Sequence, residues 1–594
     1  MSIETELLAQ ISRDRLWETN KTIAQWVRLS GSPAEREAVD YIKSVLEEYG
    51  LTTQLITHPA LISYPLASKL EVLDANGNIA HDYRCLGHAF SASVDGLVAA
   101  VVDVGNGTSA DYAKQDVRGK VIVQTGLATP PAVYAAEQAG ALGEIFVNDD
   151  YLHNMIVSTV WGTPTPESAK RLPKTPAVSI VEDDGAHLRD TLRQAQGAGQ
   201  ALHVRITTNN FCAWQETPIL IGELKGQTDD FVLFSGHQDS WHEGAMDNGS
   251  ANATMLEVGR LLATVKEQLR RGLRIVFWSG HSHGRYSGST WYADHHWEEL
   301  YDHCVAHVNV DSTGARGATF YGTFLTHKEL SGLGASAIKQ HTGQASQPKR
   351  MSRAGDMSFN GVGIPALFMA LSQVPVAAEN QSSVAASLSA LLDGKMPWWW
   401  HTSEDTLDKV DLDVLTLDTK VYVSVLWRLC HEPLLPLDFR PVVADLESDL
   451  AALQEAASAH YDFTPLRQRA SELAAAVDQL EQRRGRLGSA KPTRSKRHPP
   501  TGLSQLRGAQ AIAQFNRQLM ALSRTLIPIT YTLAGNFDHD PAWPIPPLPS
   551  LQIAKQLATL SPDSDTYQFT RTQLQRNVNA VMFALRQALE AATL

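Results

Sequence analysis

The chain has 594 residues, too many for one hydrophobic core, and at about 150 residues per unit it divides into roughly three to four domains. Hydrophobic residues make up 43% and charged residues 19%, which fits a folded globular protein and excludes a disordered or fibrous one. The formal net charge of −13 argues against general nucleic-acid binding, which needs a basic face. Four scattered cysteines with no CxxC pair (Cys85, Cys212, Cys304 and Cys430) fit a reduced compartment rather than a disulfide scaffold.

The opening MSIETELLAQISRDRLWETN has early acids and no apolar centre, so no secretory leader is expected. No apolar run of about 18 residues occurs, so no membrane span is expected and the expected location is cytoplasmic. Residues 1–60 read as helical. Ser32-Pro33-Ala34-Glu35 has the form of a capping box with proline at the first helical position. Behind it Ala38, Ile42, Val45 and Leu46 make a helical apolar stripe.

Residues 62–94 read as short strands joined by polar turns. A block with its own punctuation follows over 95–208. LVAAVVDVG is a strand, DVRGKVIVQTG a turn and strand, and AVYAAEQAGALGEIFVN a helix, glycine turn and strand. The block reads as a small inserted domain.

From about 215 to 430 the pattern alternates. FVLFSG (231–236), LRIVFWSG (273–280), CVAHVNV (304–310) and GIPALFMA (363–370) are apolar runs bounded by turns, separated by helical stretches such as ATMLEVGRLLATV. Continuous apolar strands with helical crossovers predict an α/β fold with a mostly parallel, doubly wound sheet covered on both faces. After about 440 the pattern is helical. It is interrupted by a basic loop, GRLGSAKPTRSKRHPPTG (485–502), and by a proline-rich loop, DHDPAWPIPPLPS (538–550). The basic loop reads as a solvated connection between helices.

In doubly wound sheets, sites form at the carboxyl ends of the strands. Strand 231–236 runs into GHQDSW, presenting His237 and Asp239. Strand 304–310 ends in Asp311. Asp247 opens a helix in GAMDNGSANATMLEVGR, and His401 follows three tryptophans in PWWWHTSEDTLDKVD. Two imidazoles and two carboxylates suit zinc, manganese or iron. An Asp two residues beyond a ligand His can orient its ring, and a single Asp can bridge two ions.

HQDSW, GAMDNGSA, HVNVDS and HTSEDTLDKVD, in this order and spacing, resemble metallopeptidase family 28, which includes zinc aminopeptidases, glutamate carboxypeptidase II and the transferrin receptor. The resemblance implies a zinc-peptidase-like domain with an N-terminal part over 1–94 and its metal-binding part over 209–435. It implies a protease-associated-like insert over 95–208 and a C-terminal helical domain over 436–594. FNRQLMALSRTLIP in that last part points to a homodimer.

By the same resemblance, His237, Asp247 and Asp311 would bind one metal. Asp247 would bridge to a second, held also by His401, and Asp239 would orient His237. One or two divalent ions are expected, zinc first and manganese or iron as alternatives. The reaction implied is hydrolysis of a peptide or small-molecule amide C–N bond by metal-activated water. A lyase or cyclase on the same fold, or an inactive binding homologue, stands as the alternative.

The chain departs from that family at FWSGHSHGRYSGS (277–289), where two adjacent glutamates, a general base and a ligand of the second metal, are the family pattern. Counted from the strand, His281 takes the base position and Ser282 the ligand position. Counted back from Gly288-Ser289, Ser282 takes the base position and His283 the ligand position. Glu243, in SWHEGAM, is a candidate for the missing carboxylate. Arg285 and Tyr286 are candidates for holding a substrate carboxylate or an oxyanion. Arg353 and Asp356, in SRAGDMSFNGVGIPA, and Trp400 are candidate pocket residues.

Overall fold

The computed structural model describes residues 2–371, 373–375, 396–457, 459–489 and 502–594. The basic loop lies, from 490 to 501, outside the described residues.

The strands in chain order are β1 (Thr52–Leu73), β2 (Ile79–Tyr83), β3 (Leu86–Gly87), β4 (Val94–Asp103), β5 (Val121–Thr125), β6 (Gly143–Val147), β7 (Ala177–Ile180) and β8 (His203–Leu224), then β9 (Phe231–His237), β10 (Gly272–Trp278), β11 (Cys304–Asp311), β12 (Thr323–Thr326), β13 (Gln347–Arg350) and β14 (Ala366–Ala370). They join in the order β13-β12-β14-β11-β9-β10-β8-β4-β5-β6-β7-β3, with β1 on β8 and β2 on β1. The pairs β10·β9, β9·β11 and β11·β14 are parallel. So are β4·β5, β5·β6 and β6·β7 in the region of the insert.

The central strands are buried on both faces, as their unbroken apolar runs predict. Val232, Phe234, Ile275, Phe277, Val308 and Val310 face one core, together with Leu46, Leu256 and Leu426 from crossover helices. Their alternates Phe231, Leu233, Val276 and Trp278 face the other, against Tyr292 and Leu300. The C-terminal helices share the first core through Leu450, Leu473, Leu519 and Leu585. Arg524, on the helix Gly502–Tyr531, is buried and donates to the carbonyls of Leu300, Tyr301, Cys304 and Gly363, which pins that helix to the sheet.

Some expectations are corrected. Helix does not continue to residue 60, because β1 begins at Thr52 and pairs along β8 for its whole length. This β-rich stretch, with Thr52, Thr53, Ile56 and Ile62, has a ready partner in β8, and pairing overrides the local reading. The helix Pro33–Glu48 does start at Ser32, whose hydroxyl accepts from Glu35 N–H, but the Glu35 carboxylate returns to Gly31 N–H rather than to Ser32. The boundary expected at 208/209 falls inside β8, which runs unbroken from the insert into the central sheet. Among the described residues no helix is long and apolar enough to cross a membrane.

Candidate metal centre

Register brings the candidate residues together. β9 and β10 pair so that His237 lies opposite Trp278, and β11 runs beside β9 with Asn309 opposite Ser235. His237, Asp311 and the turn after Trp278 therefore share one carboxyl edge, where ligands gather in such sheets. The DNGSAN segment is stitched to the same edge. Asn248 Nδ2 and Asn252 Nδ2 both donate to the carbonyl of His237, and Asn248 Oδ1 accepts from Ser312 N–H. These bonds deliver Asp247 to the end of β9.

The geometry converges on His237. Its Nε2 lies 3.0 Å from Asp247 Oδ1 and 3.7 Å from Asp311 Oδ1. That nitrogen is buried and has no hydrogen-bond partner. Its Nδ1 is 2.9 Å from the backbone carbonyl of Asp239, with the Asp239 carboxylate 3.5 Å away, which leaves Nε2 as the lone-pair side. An orphaned imidazole nitrogen facing two carboxylates is a donor set that fits a divalent ion. On the other side of Asp247, Oδ2 lies 3.2 Å from His401 Nε2, and His401 Nδ1 is held by the carbonyl of Asn154 at 2.7 Å.

Burial works against every charge here, and close partners override it. Desolvation pushes Asp247 up, but His237 and His401 hold it well below the ordinary carboxylate range. Asp239 is likewise pushed up by burial and brought far down by His237 and His283. Burial lowers His237, and the nearby carboxylates of Asp239, Asp247 and Asp311 raise it well above its usual value.

The turn after β10 sorts its polar residues. Gly280 sits at φ 70°, a left-handed backbone that favours glycine, and a Cβ there would lie 2.0 Å from Ser287 Oγ, which would have to turn away. The N–H groups of His281 and Ser282 both donate to the Asp239 carboxylate, at 3.3 and 3.0 Å. Asp239 thus ties the turn to β9. The His281 ring stacks on His237 at 3.8 Å between centroids, and ligand atoms of His237, His281 and Asp311 all lie within 4.8 Å of one another. His281 Nδ1 is 2.8 Å from Asp356 Oδ2, and Tyr286 meets the ring edge-on at 4.7 Å.

His283 points elsewhere. Its Nδ1 contacts Ser30 Oγ at 3.0 Å and lies 3.4 Å from Asp239, while Trp241 and Tyr64 pack edge-on against its ring. Glu243 is exposed, and its backbone carbonyl accepts from Arg28. Among the described residues neither His283 nor Glu243 joins the ligand-spaced group of His237, His281 and Asp311, although His283 Nε2 is buried without a hydrogen-bond partner. The physical reason is a crowded interior on one side and free hydration on the other. Ser282 is buried and meets Asp239 through its N–H.

Of the pocket candidates, Arg285, Arg353 and Tyr286 gather around Trp161, a residue of the insert. Tyr286 lies 4.1 Å from the indole, Arg353 Cζ 3.6 Å and Arg285 Cζ 5.8 Å. Trp400 stacks on His401 at 3.5 Å; Trp399 is buried and Trp398 exposed.

Four of the six non-glycine residues with positive φ among the described residues are Arg285, Tyr286, Ser312 and His401, all at this edge. Such backbone costs about 1–3 kcal/mol each and persists where surrounding packing imposes it, commonly at functional sites.

Sequence reasoning missed the supports. Asp405, within the quoted HTSEDTLDKVD, accepts from Met246 N–H and Asp247 N–H at 2.9 Å each. Burial and the nearby Asp247 push its carboxyl up to about 7. Buried Arg28 donates to the carbonyls of Gln238, Glu243 and Gly244 and holds the loop between Asp239 and Asp247. Asn154 comes from the insert, and its Oδ1 also contacts His242 Nε2 at 2.9 Å. Only Asp405 had a signal, an acid close behind a ligand histidine. Arg28 and Asn154 act through contacts more than 200 residues apart in sequence.

Comparison with known proteins agrees with this edge. Residues 220–424 match the model of peptidase family M28. Mouse aminopeptidase NAALADL1 is 26% identical over 283 residues, 43% of this chain and 37% of that protein. The probable glutamate carboxypeptidase VP8 of Zea mays is 24% identical over 492 residues, 72% of this chain and 68% of that protein. The chain thus spans little more than a third of the first of these relatives and about two thirds of the second. Among solved structures, BSAP, a zinc aminopeptidase from Bacillus subtilis, superposes with a TM-score of 0.51 at 20% identity, covering 71% of this chain and 96% of that one, a likeness of fold. The likeness to peptidase family M28 is carried by residues 220–424.

Proposed function

We propose that this M28 domain hydrolyses a peptide or small-molecule amide bond, with His281 as the general base in place of a glutamate. One observation carries the reading. His281 stacks on the ligand His237 at 3.8 Å while its Nδ1 is anchored 2.8 Å from Asp356, so that Nε2 is the nitrogen left for a proton. An imidazole oriented by a carboxylate and set beside a ligand cluster is the arrangement general-base catalysis needs.

His237, Asp247 and Asp311 would hold one divalent ion, zinc first by the donor set and by the zinc aminopeptidase of similar fold. When bound, that ion supplies Lewis-acid polarisation of the scissile carbonyl and makes a water more acidic. The remaining work falls to the chain's own residues. His281 accepts the proton of the attacking water at Nε2 and returns it to the departing amine. Asp356 keeps Nδ1 protonated and the ring oriented. Asp239 holds the turn through the His281 and Ser282 N–H groups. His401 braces the outer oxygen of Asp247, with Trp400 stacked behind it.

A second reading rests on the same cluster. The 4.8 Å grouping of His237, His281 and Asp311 also suits His281 as a direct ligand. Metal content and amidase activity of His281→Ala separate the two. As a base, His281 is dispensable for metal, and the variant keeps the ion while losing activity. As a ligand, its loss takes the ion with it. Retained activity with retained metal would overturn both roles. A product formed without added water would turn the reaction to an elimination or cyclisation.

The reading extends to the rest of the chain. Residues 95–208 serve as a protease-associated-like insert, and the sheet of β4 to β7 with its own apolar core supports this. The 436–594 helices serve as a homodimer surface, which the exposed Phe569 and Phe583 on the helix Asp565–Thr593 support. A solution mass of one chain would remove the dimer.

A further inference from the structure

A second gathering of metal-ligating side chains stands away from the described centre. His81 lies on β2 and His187 on the helix Glu182–Gly197. The two elements meet in one apolar core through Tyr83, Leu188 and Leu192. Both histidines are exposed, with ring centroids 4.6 Å apart and planes at 45°. Buried Tyr83 touches both. Its ring is 4.4 Å from that of His81 and 5.8 Å from that of His187, and its hydroxyl lies 2.7 Å from His187 Nδ1.

The place is separate from the metal centre. His81 pairs with Val72 of β1, whereas Ser63 of the same strand donates its N–H to the His283 carbonyl. The nine residues between them span on the order of 30 Å along a strand.

The chemistry of the cluster is that of a cation ligand set. Zinc holds imidazole nitrogen at about 2.0–2.1 Å, so two such nitrogens on one ion lie within about 4 Å of each other. Rings with centroids 4.6 Å apart meet that span. When His187 Nδ1–H donates to the Tyr83 oxygen, Nε2 keeps its lone pair, the arrangement that orients a ligand imidazole. Burial, and then the Asp184 charge, push the Tyr83 hydroxyl up to about 12, so it stays a neutral partner for that ring. Asp183 and Asp184 stand four and three residues before His187, on its side of the helix, and supply carboxylate. Two imidazoles and a carboxylate suit zinc.

The two elements also have a use for a tie. Of the five residues of β2 only Tyr83 is buried, and among the described strands β2 pairs with β1 alone. Little burial therefore holds this edge strand against the helix.

We propose that His81 and His187, with a carboxylate of Asp183 or Asp184, form a second, exposed zinc site that staples β2 to the helix Glu182–Gly197. Tyr83 is the residue that orients His187. Being exposed, the site exchanges its ion freely and empties on gel filtration, unlike the buried centre. It depends neither on that centre nor on the reaction proposed above.

The test is calorimetric titration of the full chain with zinc chloride, after stripping with a chelator, in an Asp247→Asn background that disables the buried centre. One zinc per chain is expected to bind reversibly and to raise Tm. His81→Ala and His187→Ala should each weaken that zinc at least tenfold and remove the rise in Tm. Tyr83→Phe should weaken it about tenfold, the usual cost of losing a partner that orients a ligand. If an alanine variant does not fold, His81→Gln and His187→Gln decide, since they keep size and polarity. No zinc binding in the Asp247→Asn background would overturn the proposal. So would zinc binding that both histidine variants leave unchanged. Sensitivity to one histidine alone would reduce the site to a single contact and overturn it as well.

Discussion

Asp247 and Glu144 are both buried carboxyls, one at the metal centre and one in the insert, and their surroundings drive them in opposite directions. Asp247 sits between His237 Nε2 and His401 Nε2 and is held ionised. Glu144, on β6, accepts from the hydroxyl of Thr175, at 2.8 and 3.1 Å, and burial pushes it up to about 8 with a further push from Glu137. Burial alone therefore says nothing about what an acid does. Neighbours that stabilise the charge make a ligand; neighbours that merely accept the neutral form make a structural acid.

The largest expected effect tests the ionised member. Asp247→Asn leaves the shape but removes the charge both histidines face. It should abolish metal retention and bring amide hydrolysis to background, measured as metal per chain by elemental analysis and as turnover. Retained metal would show that His237, Asp311 and His281 suffice and would place Asp247 outside the ligand set.

Next comes the base. His281→Ala should lower kcat/KM by about 10²–10⁴ with metal content unchanged, the usual range for loss of a positioned base. Asp356→Asn should cost less, on the order of tenfold to a hundredfold, because the ring stays stacked on His237 and against Tyr286 and loses only the acceptor at Nδ1.

The smallest effect tests the neutral member. The folded-state pKa of Glu144 is about 8, above the ordinary glutamate value of 4.5. The folded chain therefore holds this proton more tightly than the unfolded one. The stability it contributes is fully present below pH 4.5, is lost as pH rises through the window from 4.5 to 8, and falls no further above it. Glu144→Gln keeps an acceptor for Thr175 and removes the titration. In denaturant titrations the variant should match the parent at acid pH and exceed it at pH ~9 by an amount on the order of 1–3 kcal/mol. An unchanged gap across pH would show that Glu144 is charged in the fold.

How much of this was legible depends on how far apart in sequence the partners lie. His237, Asp239 and Asp311 were readable as candidates because each falls at or beside the carboxyl end of an apolar run, and Asp247 because it opens a helix in GAMDNGSANATMLEVGR; the parallel register brings the strand ends together. His401 was readable from HTSEDTLDKVD. The two registers of the 281–283 turn were not separable by counting, because Gly280, Gly284 and Gly288 allow either path. Contact with Asp239, Asp356 and Ser30 distinguishes where the rings go. Glu243 looked like a spare carboxylate only because its neighbours in sequence are near the site; in the fold its side chain is exposed.

By itself the sequence determined the period of the strands, the apolar runs that force a sheet covered on both faces, and the residue types that gather at its carboxyl edge. Those follow from local chemistry and hydrophobic pattern. Tertiary structure alone decided which histidine stands beside His237, that the insert lends Asn154 to His401 and Trp161 to two arginines, and that Asp247 is ionised while Asp405 is raised to about 7. The reason is that orientation and charge state depend on partners contributed by other segments, and no local pattern encodes a contact made across hundreds of residues.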